Sequence, residues 1–170
     1  PSAQYQHGSV GKLEVLAAFF TGLKHVYPDN FDKRIKLLKN KQIKAGQWAI
    51  SDHHTVPVYD VETEKMVKRK VRASDVFSLF EWVDHMVSVS NNGAASVVWR
   101  EALLMHIFKD KYPSLTFEEA EEYFKSKPKS ELSEFAINTV NQPLRDLGIT
   151  EDEWRLGKFF TGGAGSYIPG

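Results

Sequence analysis

Two short spacings in this chain carry residue types that can do chemistry. In Ser9-Val10-Gly11-Lys12 a serine hydroxyl and a lysine amine stand three residues apart, and on a helix they share one face. At a helix's first turn, backbone N–H groups and the dipole favour a developing negative charge. A desolvated lysine loses proton affinity, and its neutral amine can then take the serine's proton. That is the chemistry of a nucleophilic serine. The second spacing is Ser90-Asn91-Asn92, a polar turn between two segments whose apolar faces predict burial. Buried polar side chains must find partners, so such a turn is a place to look for function. Each spacing also has an ordinary reading, with Ser9 as an N-cap and Ser90 or Asn92 capping a helix that begins near Gly93. A second Ser-x-x-Lys, Ser126 to Lys129, has Pro128 inside it and no apolar helix behind it, so it is set aside.

The elements that must hold these residues read as mainly helical. Leu13, Leu16, Ala17, Phe20 and Leu23 recur at three- and four-residue spacing, which predicts a helix from Ser9 to about Tyr27 that buries this stripe. A short helix follows over Phe31 to Lys39, with Ile35 and Leu38 facing inward. Trp48–Ile50, Val56–Tyr59 and Met66–Val71 read as extended pieces, with residues 60–65 as a polar turn. Helical periodicity returns over Ala73–Val87 with Ser74 as its cap, and again over Ala94–Phe108, where most of the surface is apolar and central burial is expected. Thr116 to Glu119 is a capping box opening a charged helix to Lys125. Ser130–Leu147 forms the last helix, crossed by Pro143 and closed by Gly148. The sequence thus predicts a helical domain with a small extended insert around residues 46–72.

Composition limits what such a domain can be. The 170 residues carry 22 basic and 22 acidic side chains, a formal net charge of zero, which argues against a dedicated nucleic-acid binder. No apolar run approaches the roughly 20 residues of a membrane-spanning helix. With no cysteine, disulfide scaffolds, thiolate zinc sites and cysteine nucleophiles are excluded. No signal peptide is visible at the start of the chain.

Taken together, the two spacings and their helical contexts resemble the penicillin-recognising serine hydrolases, the class A β-lactamases, D,D-peptidases and related enzymes. Gly8-Ser-Val-Gly-Lys-Leu13 is similar to that family's nucleophile motif. Met86-Val-Ser-Val-Ser-Asn-Asn-Gly-Ala-Ala95 is similar to its second motif and the helix after it, with Asn91 where the family commonly has Asp. Leu147-Gly148-Ile149 resembles the end of the helix ahead of the family's omega loop. The resemblance implies that Ser9 is the acylated nucleophile and Lys12 its general base. It further implies that Ser90 shuttles a proton toward the leaving group and that Asn92 hydrogen-bonds a substrate amide. The backbone N–H of Ser9 would supply half of an oxyanion hole and a sheet strand the other half.

By the same resemblance the chain is the helical lobe of the family's α/β fold, acting on a β-lactam, a peptidoglycan peptide or an ester. It implies no metal or organic cofactor, and a location in the periplasm, cell envelope or exterior. Three departures accompany it. The family's Lys/His-Thr/Ser-Gly tripeptide does not occur after Ser90. The family's flanking strands find no room, which suggests a fragment of a longer protein. The deacylating glutamate of class A enzymes has no equivalent: Glu134 and Asn138 match its spacing but precede Leu147, and Glu134 reads as an exposed helical carboxylate. Slow deacylation follows, favouring a peptidase- or esterase-like hydrolase over an efficient lactamase. The alternatives are a related sensor that acylates without turnover or does not react, and an unrelated helical interaction domain in which both serines are caps.

Other clusters read as structural. Asp52, His53 and His54 are consecutive, and adjacent side chains point to different sides, so no metal site is expected there. Lys65, Lys68, Arg69, Lys70 and Arg72 alternate with Asp60, Glu62 and Glu64 as a solvated hairpin. Trp82, Trp99 and Phe108 follow helical spacing and belong to the core, whereas Trp154, Phe159, Phe160 and Tyr167 are positioned to border a site.

Overall fold

The helix that opens just after the Ser90 turn is the axis of the molecule. In the computed structural model, which describes residues 8–49 and 52–156, this helix runs from Asn92 to Phe108, and every residue from Gly93 to Met105 is buried. A helix apolar on all sides must be wrapped by others. Three do so: α1 (Gly11–Val26), α3 (Leu79–Ser88) and α6 (Lys129–Asp146) pack around α4 (Asn92–Phe108). The remaining helices, α2 (Phe31–Asn40) and α5 (Phe117–Lys125), are amphipathic and more exposed, with Leu37 and then Ala120 and Phe124 as their buried residues. No helix among the described residues is long and apolar enough to cross a membrane.

Helix α1 buries a different face from the one its spacing predicts. Val15, Ala18, Phe19, Gly22, Leu23 and Val26 turn inward, while Leu13 and Phe20 are 61% and 50% exposed. The segment is apolar on two sides, and the choice is made by fit to α4. A Cβ added at Gly22 would meet the Cβ of Met105 at 2.9 Å, so the missing side chain is what lets the two helices approach. In α2, Leu37 is buried while Ile35 and Leu38 are half-buried.

Two small antiparallel ladders complete the fold. β1 (Gln42–Lys44) pairs with β4 (Val76–Ser78), Ile43 opposite Phe77. β2 (Val56–Asp60) and β3 (Lys65–Arg69) form a hairpin, Val58 opposite Val67, whose turn is set by Asp60 Oδ1 accepting the N–H groups of Glu62 and Thr63. The basic side chains of the hairpin are largely solvent-facing, and Arg69 forms a two-bonded pair with Asp75 at 2.7 and 2.8 Å. Trp48 lies in a 3₁₀ turn (Gly46–Trp48), not in a strand, and β4 occupies part of the segment expected to be helical. Consequently α3 begins at Leu79, and its cap is Ser78, in a capping box with Glu81, rather than Ser74. The predicted Thr116–Glu119 box is formed as expected.

The first ladder is fastened to the core by polar bonds from inside α4. Arg100, 2% exposed, donates to the carbonyls of Lys44 and Ala45 at 2.8 Å each and to Glu101 at 2.7 Å. The Tyr112 hydroxyl closes the network on Glu101 at 2.6 Å. Each charge in this buried pair is matched by hydrogen bonds, the condition under which burial is tolerated. Trp82 Nε1 adds a bond to the Ile43 carbonyl. These bonds hold β1 and the residue after it against the middle of α4 and against α3.

Candidate functional site

The two motifs meet at the N-terminus of α4. A 3₁₀ turn, Gly8–Val10, carries Ser9 ahead of α1, and Gly8 adopts φ 52°, a conformation that suits glycine. Ser9 is exposed there and is not a helix cap: the residue before α1 is Val10, with no side-chain capping bond. Lys12, on the first turn of α1, is 7% exposed and directs Nζ across to the other motif. It donates to Asn92 Oδ1 at 2.7 Å and to Ser90 Oγ at 3.2 Å. Ser90 Oγ in turn donates to Ser9 Oγ at 3.0 Å. All four residues singled out from spacing are therefore joined in one hydrogen-bonded chain, across 78 to 81 positions of sequence.

The α3–α4 turn is built to present two of them. Ser90 takes φ 56°, the left-handed region that non-glycine residues seldom occupy. This kink turns its hydroxyl toward Ser9 while Asn91 N–H bonds back to the His85 carbonyl at 3.1 Å. The cap of α4 is Asn91, neither Ser90 nor Asn92: its Oδ1 accepts the Ala94 N–H at 2.8 Å. With Asn91 capping, the side chains on either side of it, Ser90 and Asn92, are released to face Lys12.

Burial pushes the Lys12 ammonium below the ordinary lysine range, and the nearby charge of Asp52 partly opposes the shift. A lysine so placed loses its proton more readily than a solvated one. The chain Ser9–Ser90–Lys12 is then able to carry a proton from a serine hydroxyl to an amine.

Asp52 is a residue that spacing alone does not assign to the site. Its side chain is 4% exposed, and its Oδ2 accepts the Asn92 N–H at 2.8 Å. His54 Nδ1 donates to the same carboxylate at 2.8 and 2.9 Å, and His53 Nδ1 approaches it at 3.3 Å. The expectation that adjacent side chains diverge therefore fails here. The donor atoms of Asp52, His53 and His54 lie within 4.8 Å of one another, and the two imidazole centroids are 4.1 Å apart. Both carboxylate oxygens already accept hydrogen bonds from the protein, which makes this a hydrogen-bonded cluster around one aspartate. Burial acts to raise the Asp52 carboxyl, but the bonds from Asn92 and His54 outweigh it and hold the group below the usual carboxylate range.

The remaining candidates lie elsewhere. Ser126 Oγ bonds to the Tyr123 carbonyl at the end of α5, and Glu134 and Asn138 are exposed on α6. Trp154 Nε1 donates to Glu14 Oε1 at 2.6 Å, which gives that indole a structural partner on α1. Phe159, Phe160 and Tyr167 lie outside the described residues. Comparison with known proteins finds no family model, no curated protein and no solved structure that matches the chain.

Proposed function

We propose that the chain is a serine hydrolase of the β-lactamase/D,D-peptidase-like kind, with the helical part of that α/β fold, acting through a serine acyl-enzyme on an amide, lactam or ester. The observation that carries this reading is the hydrogen-bonded chain Ser9–Ser90–Lys12–Asn92, with Lys12 desolvated at its centre. Neutral Lys12 takes the proton that Ser9 Oγ loses, directly or through Ser90, as Oγ forms its bond to the carbonyl carbon. The Ser9 N–H stabilises the oxyanion. On collapse the bond to the leaving nitrogen or oxygen breaks, and Ser90 delivers a proton to it while Lys12 restores the Ser90 hydroxyl. Asn92 Oδ1 accepts a substrate amide N–H, a role that a side chain already fixed by Lys12 is suited to fill. Water then hydrolyses the ester. By the same resemblance, the substrate is a β-lactam, a peptidoglycan peptide or an ester, met in the periplasm, envelope or exterior.

A second reading, a sensor that acylates once and stops, draws on the placement of the glutamates. Glu134 is exposed on α6, and Glu14 is engaged by Trp154. One experiment addresses both. The protein is incubated with a β-lactam and, separately, with a fluorophosphonate, and its intact mass is followed over time. A single adduct mapping to Ser9, absent in Ser9→Ala and Lys12→Ala, supports acylation. Decay of the β-lactam adduct with repeated product release supports the hydrolase, and a persistent single equivalent supports the sensor. No adduct with either probe overturns the serine chemistry. Because Ser9 is not a cap, Ser9→Ala should leave the melting temperature unchanged.

A further inference from the structure

We infer that Asp52 is a positioning residue of this site: its carboxylate, held by His54, fixes the α4 end that presents Asn92 and supplies the negative charge opposite Lys12. The inference rests on the reading of Lys12 as the base, and it extends that reading to a segment that neither motif contains.

Three features of the geometry support it. First, residues 52–54 grip the motif from outside at two points, Asp52 Oδ2 on the Asn92 N–H at 2.8 Å and the His54 carbonyl on Asn91 Nδ2 at 3.0 Å. Both bonds fall on the two residues that set the direction of the Ser90 and Asn92 side chains. Second, a carboxylate at the first turn of α4 meets the Asn92 N–H, which no carbonyl within the helix can accept, and the positive end of a 17-residue helix, where an anion is stabilised. Third, the His54 ring bonds both carboxylate oxygens, so the charge is held in one orientation.

The charged and titratable groups around Lys12 are few among the described residues. The insert contributes Asp52, with His54 and His53 behind it, and the Asp52 charge acts on Lys12 to hold its proton. On α1, Glu14 lies on another flank and is bonded to Trp154. On α3, His85 is buried against Phe77 and Trp82, and its carbonyl faces Asn91. On α4, Arg100 and Glu101 are two turns further along and pair with each other. The acid–base state of Lys12 is thus balanced between burial, which favours the amine, and Asp52, which favours the ammonium.

The test is Asp52→Asn, read at Lys12 itself. The amide oxygen that this substitution introduces can still accept the Asn92 N–H, so the turn keeps its shape while the charge is lost. The Lys12 ε-carbon resonance, assigned by its disappearance in Lys12→Arg, is titrated by NMR in the wild type and in D52N. The titration midpoint is expected to fall in D52N. If acylation by the fluorophosphonate is also measured against pH, its acid limb should move to lower pH with the alkaline plateau kept. Asp52→Ala, which also loses the bond to Asn92, should lower that plateau. A Lys12 midpoint that is unchanged or higher in D52N overturns the inference. Should D52N not fold, the wild type decides alone: protonation of Asp52 in acid must appear as a second inflection at the Lys12 ε-carbon, and its absence overturns the inference. The NMR readout requires no turnover, so failure of the hydrolase reading would show separately, as absence of any adduct.

Discussion

Asn91→Asp is a demanding perturbation of this site, because it introduces the residue common in the family whose motif this segment resembles. Reasoning from the motif alone expects the change to be neutral or helpful. The structure predicts the reverse. Asn91 is 1% exposed and uses both ends of its amide: Oδ1 caps Ala94 at 2.8 Å, and Nδ2 donates to the His54 carbonyl at 3.0 Å. Aspartate keeps the cap but replaces the second donor by an oxygen facing an oxygen. Losing that buried bond and stranding the carbonyl costs about 1–3 kcal/mol. A negative charge at the N-terminus of α4 returns about 0.3–1 kcal/mol. Asp52, whose own carboxylate already occupies this end of the helix, reduces that return by repulsion.

The net expectation is a loss of about 1–2 kcal/mol at neutral pH. With a urea m-value of about 2 kcal/mol/M, the unfolding midpoint falls by roughly 0.5–1 M. The sign of the pH dependence follows from the same contacts. The introduced carboxyl is buried against a carbonyl oxygen and near a second carboxylate, so its folded pKa lies above its unfolded value. A group raised in this way contributes stability below its unfolded pKa and loses it as pH rises through the folded pKa. The deficit relative to wild type should therefore shrink in acid, where the protonated group donates to His54, and be largest at neutral pH. Urea unfolding of both proteins at neutral and acidic pH checks this. An N91D protein as stable as wild type at neutral pH would refute the account of Asn91 as a two-ended clamp.

Two further outcomes follow from other contacts. Because burial lowers the proton affinity of Lys12, acylation by a fluorophosphonate should rise with pH and reach half its plateau below the ordinary lysine range; a midpoint at the value of a solvated lysine, from a stopped-flow pH profile, would contradict it. Tyr112→Phe removes a 2.6 Å bond to the buried Glu101 carboxylate and should cost about 2 kcal/mol, lowering the melting temperature by about 4–8 °C by calorimetry, with Ser9 labelling unaffected.

Legibility in the sequence tracks how local each contact is. The Thr116–Glu119 box, the helical identity of residues 117–125 and the apolar envelope of α4 rest on neighbours within a turn or on composition, and the spacing shows them. The pairing of Gln42–Lys44 with Val76–Ser78 joins two three-residue strands far apart in the chain, and no periodicity develops over three residues. That pairing shortens the following helix and moves its cap from the expected Ser74 to Ser78. The buried face of α1 departs from its spacing for a related reason. Leu13 and Phe20 compete with Val15 and Phe19 for the interior, and the contest is settled by the close approach at Gly22 to Met105, a residue of another helix. In the candidate site, spacing singles out Ser9, Lys12, Ser90 and Asn92, which the fold joins by hydrogen bonds, whereas it passes over Asp52, which meets an N–H group 40 positions away.

The electrostatic logic of the site explains why a third segment is needed. A lysine that is to act as a base must be buried enough to lose its proton, yet burial alone gives it no fixed position when charged. Lys12 is directed at the N-terminal end of α4, where the helix dipole adds to desolvation in disfavouring the ammonium. Ser90 and Asn92 supply acceptors that help hold the ammonium but carry no charge, so the Coulombic opposition to those two influences comes from elsewhere. Asp52 supplies the opposing charge from the side of the helix end, bound through an N–H and an imidazole to the backbone that aims Asn92. The same carboxylate therefore sets both where the acceptor points and how firmly the proton is held. A change at Asp52 that alters only one of the two, as D52N does, separates positioning from charge in a way that no change at Lys12 itself can.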